Sequence, residues 1–277
     1  MVLKAWLDRN TPETKEALQR FLPEEKRAYL SELPAVEEKQ ESEEIAYDSL
    51  LEKIHWSWFL PTLKTFAVKD QRLFLLVLDS YAAEQIKASL SLKGGVEEIS
   101  ETAKAFLKEK LLNSLEKPED GLLPPEYLPI SALNRLLTLT KKELTRLINC
   151  LALYDLAPEM RQIVETKTLK KIYTLLTEDQ KNLLKKITIH KESQSLPKLG
   201  IDRWEGTKES LQVLLHRRGL ARLGLAFSGQ DPDLIWRICH QLDIGRGGTL
   251  FKLCNKEKKS GASDGIIRQI EELLSLL

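Results

Sequence analysis

The stretch IHWSWFLP, residues 54–61, sets two tryptophans and a phenylalanine beside a histidine and ends in a proline. The apolar run LFLLVL follows at residues 73–78. We predict a short helix anchored by the aromatic side chains, a bend marked by Pro61, and then a helix buried on nearly all sides. A buried strand is the alternative for the apolar run, because short apolar runs fit both classes. The leucine-rich, weakly β-branched content of the run favours a helix.

Length and charge indicate an ordinary globular protein. The 277 residues fit two or three small units, at about 150 residues per domain. The 42 basic residues nearly balance the 41 acidic residues, so net charge indicates neither a nucleic-acid nor a membrane partner. No stretch reaches the roughly 18 apolar residues that cross a bilayer, and the first residues lack the pattern of a signal peptide. We therefore predict a cytosolic protein without a transmembrane segment.

Prolines, glycines and runs of charge divide the chain into helical units and connectors. The predicted parts are a helical hairpin at 1–34, an acidic linker at 35–44, a middle helical domain at 45–116, a proline-rich connector at 117–129, a helical stack at 130–190, a second connector at 191–206 and a C-terminal helical unit at 207–277. The connectors are predicted because residues before proline avoid the helical region. The predicted fold is all-α, built from several small units of short antiparallel helices.

Two helices of the stack have readable starts. Thr140 with Glu143, and Thr177 with Gln180, have the spacing of a capping box, in which the threonine and the residue three positions later bond each other's backbone. The apolar spacing between these starts is typical of a small solenoid-like stack, although its period is too irregular for a true repeat.

The glycine-rich stretch at 245–248 is the strongest candidate for chemistry, since such turns cradle phosphate with backbone N–H groups. It lacks the lysine followed by Ser or Thr of a P-loop, and no strand precedes it, so we interpret it as a tight turn that requires positive φ. Gly-x-Ser-x-Gly, His-Glu-x-x-His and Cys-x-x-Cys are absent from the sequence. We predict a protein that is not an enzyme and has no catalytic residue or cofactor.

The three cysteines, Cys150, Cys239 and Cys254, are widely spaced in apolar surroundings. We interpret them as buried, reduced thiols. Cys254 together with the adjacent Cys239 and His240 could form part of a metal site. A fourth ligand and the usual close pairs are missing, so no metal is predicted.

The aromatic stretch allows two interpretations. His55 could be a ligand or a base, but a cap or a packed ring in a bend is favoured, because no carboxylate or nucleophile is close in sequence. Trp56 and Trp58 would point to different faces of a helix. Both could lie in the core, or one could anchor a partner, since Trp is enriched at the centres of interfaces. The apolar stripe of residues 266–277 likewise either closes its domain or docks on a partner helix.

Basic clusters occur at Arg217, Arg218 and Arg222 and at residues 256–259. A nucleic-acid interface would need such clusters on one face with aromatic residues between them. Ordinary solvated charge is favoured, and a helical-repeat protein that binds nucleic acid is retained as the alternative function.

One resemblance concerns the middle of the chain. Residues 50–92, with the aromatic entry, the sequence LKT at 63–65, the leucine-rich helix and YAAEQI at 81–86, resemble the middle domain of the flagellar motor-switch protein FliG. Residues 164–169 and 175–186 are similar to a helical segment of its carboxy-terminal domain. The resemblance implies a FliG-like, armadillo-like fold in part. The Glu-His-Pro-Gln tetrapeptide of FliG corresponds to residues 68–71, of which Gln71 agrees.

A second resemblance concerns the C-terminal unit. LARLGLAFSG at 220–229, followed by IWRIC at 235–239, is similar to the Arg-Leu-Gly stretch and the next helix of SctK-type adaptors in bacterial virulence type III secretion. It implies a non-enzymatic cytosolic adaptor that links the inner-membrane ring to the cytosolic sorting platform. The implied partners are the cytoplasmic domain of the ring protein and SctQ- and SctL-like platform subunits, with no nucleic acid. The chain would lie at the cytosolic face of the inner membrane, peripheral to it through protein contacts.

From the aromatic stretch and the two resemblances together, we predict a set of partner-binding residues. They are His55, Trp56, Trp58, Phe59, Gln71, Arg222, Trp236, Arg237 and Arg246.

Overall fold

The computed structural model describes residues 16, 20–24, 26, 27, 50–95, 99–115, 122–189, 199–201, 204–254 and 262–276. The chain divides into two compact units, Met1–Ser49 and Leu50–Leu277. Most of the predicted N-terminal hairpin and the whole acidic linker at 35–44 lie outside the described residues, and so does the basic cluster at 256–259. In the first unit, Arg20 forms an exposed ion pair with Glu16 at 2.9 Å.

Every regular element in the described ranges is a helix, which confirms the predicted all-α class. The 3₁₀ helices are η1 (Trp56–Trp58), η2 (Pro125–Tyr127) and η3 (Ala132–Thr138). The α-helices are α1 (Leu60–Leu63), α2 (Val68–Leu75), α3 (Ser80–Ser89), α4 (Glu101–Asn113), α5 (Lys141–Leu151), α6 (Leu153–Met160), α7 (Thr166–Leu175), α8 (Glu178–Ile189), α9 (Lys208–Phe227), α10 (Pro232–Gln241), α11 (Ile244–Cys254) and α12 (Ala262–Leu274). Among the residues described, no helix has the length and apolarity that crossing a bilayer requires.

Local sequence signals explain where several helices start. At α5, the Thr140 hydroxyl accepts from the backbone N–H of Glu143 at 3.2 Å, and the Glu143 carboxylate accepts from the N–H of Thr140 at 2.8 Å. Thr177 and Gln180 repeat the arrangement at α8, at 3.3 and 3.0 Å. Both predicted capping boxes are therefore confirmed.

The apolar run at 73–78 is helical only in its first half. Helix α2 ends at Leu75, and the chain turns through Leu76 and Val77. The helix interpretation is thus correct up to that point. Only Phe74 and Val77 of the run are buried, so the prediction of burial on nearly all sides is wrong. The other residues of the run are half-buried.

One continuous hydrophobic core extends from Leu128 to Leu274 and unites α5–α12 with η3. Helix α9 is central to it and contacts α5, α11 and α12. Two glycines allow these close approaches: a Cβ on Gly219 would lie 1.8 Å from the carbonyl oxygen of Ile148, and one on Gly224 would lie 2.5 Å from the Cβ of Leu253. The structure therefore joins the predicted helical stack and C-terminal unit around one core.

Candidate interaction site

The aromatic stretch at 54–61 contacts α10 and α11. The backbone N–H of His55 donates to the carbonyl oxygen of His240 at 2.7 Å. The indole Nε1–H of Trp58 donates to the carbonyl oxygen of Leu242 at 2.8 Å. Because both acceptors lie at the C-terminal end of α10, η1 supplies donors to carbonyls that a helix end leaves without an intrahelical partner. We name this contact between η1, α10 and α11 the junction.

A chain of hydrogen bonds through Ser57 completes the junction. The Ser57 hydroxyl accepts from the backbone N–H of Ile244, the first residue of α11, at 2.9 Å. It lies 2.9 Å from Nδ1 of His55, and this nitrogen also accepts from the N–H of Ser57 at 3.2 Å. Nδ1 of His55 is therefore an acceptor, and the imidazole is neutral in this arrangement. Burial, followed by the charge of Lys141, lowers the pKa of His55, which favours the same neutral form. The predicted role of His55 as a helix cap is confirmed.

Aromatic rings fill the interior of the junction. The His240 ring lies between two indoles, with its centroid 3.8 Å from that of Trp236 and 4.2 Å from that of Trp58. Phe251 of α11 contacts the same group edge-on, 6.5 Å from Trp58. We assign a proton to Nδ1 of His240, because this atom lies 2.8 Å from the carbonyl oxygen of Trp236, which only accepts. Burial lowers the pKa of His240 to about 4, so the ring is a neutral packing element at pH 7.

Gly247 lies at the closest approach of the junction. A Cβ at this position would lie 2.3 Å from the carbonyl oxygen of Cys239 and 2.6 Å from Cζ2 of Trp58. The glycine-rich stretch at 245–248 is the first part of α11, and none of its residues has positive φ. The predicted tight turn with positive φ is therefore wrong. The physical reason for glycine at 247 is close contact between α11, α10 and the Trp58 ring.

The N-terminus of α11 is closed by its own chain. The Asp243 carboxylate accepts from the backbone N–H groups of Gly245 and Arg246, each at 3.1 Å, and also binds Nε of Arg246. The carboxylate occupies the place that an anion would take at this helix N-terminus. The backbone N–H groups at the N-terminus of α11 therefore bind Asp243 and not a phosphate group.

Cations and neutral imidazoles border the junction on its polar side. Lys141 of α5 donates to the carbonyl oxygen of Ile54 at 3.0 Å, and burial lowers the pKa of this lysine. Nδ1 of His216 lies 2.8 Å from the side-chain oxygen of Asn149, and burial followed by the charge of Arg246 lowers the pKa of His216. The border thus carries the charge of Lys141 and the ion pair of Asp243 with Arg246, next to two histidines whose pKa values are lowered.

Arg222 lies in the interior, away from the junction. Its side chain is 2% exposed, donates to Asp155 at 2.6 Å and contacts the side-chain oxygen of Gln269. Arg218 adds a second ion pair to Asp155 at 3.2 Å. Burial raises the pKa of Asp155 and lowers that of Arg222, although each charge opposes the effect of burial on the other.

Arg222 therefore presents no surface to a partner, because its helix is central to the core. The basic cluster at 217–222 is not a single exposed patch, since two of its three arginines are turned onto Asp155.

Three other predicted partner-binding residues are also in the interior. Phe59 is 0%, Trp236 is 3% and Gln71 is 8% exposed. Gln71 donates its side-chain amide to the carbonyl oxygen of Phe66 at 2.9 Å, so it fixes the bend before α2. The prediction that these three residues contact a partner directly is therefore corrected, because their side chains are packed in the interior. The predicted residues that keep some solvent exposure are His55, Trp56, Trp58, Arg237 and Arg246.

A polar clamp on α10 was not predicted from the sequence. The Asp233 carboxylate accepts from the backbone N–H of Leu123 at 2.8 Å, and Arg237 donates to the carbonyl oxygen of the same residue. The proline-rich connector is thereby fixed to α10. The acid and the arginine are four residues apart, one helical turn, but nothing local identifies a segment 110 residues earlier as their partner.

The three cysteines are buried, free thiols, as predicted. Burial raises the pKa of Cys150 to about 11, and burial together with the neighbouring Cys254 raises the pKa of Cys239. The thiols of Cys150 and Cys239 are therefore protonated at neutral pH and act as small apolar side chains. Across the described ranges, no group of three or more His, Cys, Asp or Glu residues is arranged to hold a metal ion.

No protein-family model, curated protein or solved structure matches this chain. The resemblances to FliG and to SctK-type adaptors therefore rest on the residues quoted for them.

Proposed function

We propose that this protein is a non-enzymatic adaptor of a bacterial type III secretion system. It would link the cytoplasmic domain of the inner-membrane ring protein to SctQ- and SctL-like subunits of the sorting platform, at the cytosolic face of the membrane. The observation that carries the proposal is the position of the two stretches that resemble SctK-type adaptors. Residues 220–229 lie in α9 and the turn after it, and residues 235–239 lie in α10.

The junction supports the proposal because it joins the resembling helix α10 to an accessible aromatic edge. Trp56 is half-buried and lies beside His55, with ring centroids 5.1 Å apart. Its indole Nε1 is buried and has no hydrogen-bond partner among the described residues. Tryptophan and arginine are both enriched at interfaces, and Arg246, which is paired with Asp243, lies at the same junction. We therefore assign the adaptor contact to the surface formed by His55, Trp56 and Arg246.

The test combines crosslinking in the native cell with affinity purification of the full chain and mass spectrometry. We expect the wild-type chain to recover the secretion ring and platform subunits. Trp56→Ala should weaken that association by about 2 kcal/mol or more, the usual size of an interface anchor, while helicity measured by circular dichroism is unchanged.

The matched control is Trp204→Ala, which removes another half-buried tryptophan that lies outside the junction and donates to Thr207 at 3.0 Å. This variant should recover the same subunits as the wild type. Recovery of nucleic-acid proteins, or of nothing above background, would reject the proposal. Loss of helicity together with binding in Trp56→Ala would assign Trp56 to the core.

A further inference from the structure

A second surface, formed by α6, α7 and α8, has the character of a binding groove. Its floor is apolar and includes Met160, Leu169, Tyr173 and Leu184. The cavity measures about 410 Å³ and is open to solvent. Met160, Leu169 and Tyr173 are half-buried, so they keep accessible surface in the groove. The three aliphatic side chains of this floor have no strong hydrogen-bonding group, so a ligand that fills the groove must supply apolar groups of its own.

The rim of the groove is cationic. Arg161 at the end of α6 and Lys185 on α8 line it, and both are exposed. The ammonium group of Lys181 lies 5.7 Å from the centre of the Tyr173 ring.

The acidic residues of α8 are occupied by neighbouring cations. Glu178 is paired with Lys181 at 2.8 Å, and Asp179 is paired with Arg146 at 2.8 Å. Neither carboxylate lines the groove. In the described part of the chain, the charged side chains that line the groove, Arg161 and Lys185, are both cationic, which favours an acidic partner and repels a basic one.

We propose that this groove binds an amphipathic helix of a partner protein. The helix would insert apolar residues spaced three or four positions apart, with Asp or Glu on their flanks facing Arg161 and Lys185. Helix-in-groove recognition uses this spacing because residues one turn apart share a face. The floor of the groove therefore selects helices with apolar anchor residues, and its rim selects helices with acidic residues beside those anchors.

This inference rests on the proposed function only in that both require a protein partner. The groove is lined by α6, α7 and α8, whereas the adaptor contact is assigned to the junction. Variants of the groove should leave the Trp56-dependent association intact, and Trp56→Ala should leave the groove intact. Failure of one proposal is therefore distinguishable from failure of the other.

The experiment selects ligands without assuming their sequence. The full chain is used as bait for a displayed library of helical peptides, and the most enriched peptide is synthesised and titrated by fluorescence anisotropy. We expect the enriched peptides to share apolar residues three or four positions apart with acidic flanks. The double variant Arg161→Glu/Lys185→Glu should weaken binding about tenfold or more, because it reverses both charges of the rim. Leu169→Gln should also weaken binding, since it makes the floor polar.

The matched control is Lys87→Glu/Lys93→Glu, which makes the same charge change at two exposed positions around the end of α3. This control should bind the peptide like the wild type. Four outcomes would overturn the proposal: no enrichment, enriched peptides without acidic flanks, equal weakening by both double variants, or loss of peptide binding in Trp56→Ala. Binding of vesicles containing phosphatidylglycerol through Arg161 and Lys185, without peptide binding, would assign the groove to a lipid surface instead.

Discussion

The indole of Trp58 donates to the carbonyl oxygen of Leu242 at 2.8 Å across 184 residues of sequence. Leu242 is the C-cap of α10, whose last carbonyls lack intrahelical partners. The bond therefore does two things. It satisfies a polar group at the end of one helix, and it attaches the aromatic stretch before α1 to the core of α5–α12.

Trp58→Phe tests this bond while keeping an aromatic ring in the junction. We expect the free energy of unfolding to fall by about 1–3 kcal/mol, the cost of leaving a buried acceptor unpaired. Trp58→Ala should cost more, about 3–5 kcal/mol, because it also removes the ring that contacts His240. Chemical denaturation followed by circular dichroism measures both. Equal stability of Trp58→Phe and the wild type would mean that the bond contributes nothing.

Alanine substitutions at two neighbouring glycines of α11 should change the free energy of unfolding in opposite directions. Gly247→Ala places a methyl group against the Cys239 carbonyl and the Trp58 ring, and we expect a loss of about 1–3 kcal/mol or more in the free energy of unfolding. A Cβ on Gly248 meets nothing within 4 Å, so Gly248→Ala should add about 0.5–1 kcal/mol through helix propensity. Thermal and chemical denaturation of the two variants compare them directly. A gain in stability for Gly247→Ala would contradict the close approach.

The contrast between helix starts and Gly247 shows what sequence can predict in this chain. The capping boxes at Thr140 and Thr177 were predicted because both partners lie within three residues, so the pattern contains the whole interaction. The reason for glycine at 247 was missed because it depends on Cys239 and Trp58. Which residues approach a glycine is decided by packing over long separations in sequence, and no local pattern records it.

Arg222 shows that the partners of a charged side chain are equally hard to predict from the sequence. Its position beside Arg217 and Arg218 predicts a solvated basic cluster. Its partners Asp155 and Gln269 lie 67 and 47 residues away in sequence. Charged side chains are rarely buried without a partner, and a partner at such a distance cannot be identified from a single sequence. The sequence therefore misplaces side chains whose contacts are all long-range, and the partner-binding role of the half-buried His55, Trp56 and Arg246 stays a prediction.

Replacement of Arg222 measures how much this ion pair matters to the fold. Arg222→Met should lower the free energy of unfolding by about 3–5 kcal/mol, because it leaves a buried Asp155 with Arg218 as its remaining cation. The double variant Arg222→Met/Asp155→Leu should recover much of the loss, since it removes both buried charges. Arg217→Met is the control on the same helix, at an exposed position, and should stay close to the wild type. A full loss in the double variant as well would indicate that packing of the Arg222 side chain, and not its charge, is what the core needs.

The neutral ring of His240 makes stability depend on pH in a definite direction. Its pKa is about 4 in the folded chain, against 6.5 for an ordinary histidine, so the unfolded chain binds the proton first as pH falls. The contribution of His240 is complete above pH 6.5 and is lost as pH falls toward 4, with a total of roughly 3 kcal/mol. His240→Phe keeps a ring between Trp58 and Trp236 but cannot titrate.

Urea denaturation of both proteins at a series of pH values between 4 and 7 measures the effect. We expect the wild type to lose more free energy of unfolding across this range than His240→Phe does. Some slope should remain in the variant, because the pKa values of His55 and His216 are lowered as well and change stability in the same direction. The difference between the two curves isolates His240, since these other histidines are common to both proteins. Parallel curves would show that the ring is already free to accept a proton in the folded state, and the stack of Trp58, His240 and Trp236 would then be open to water.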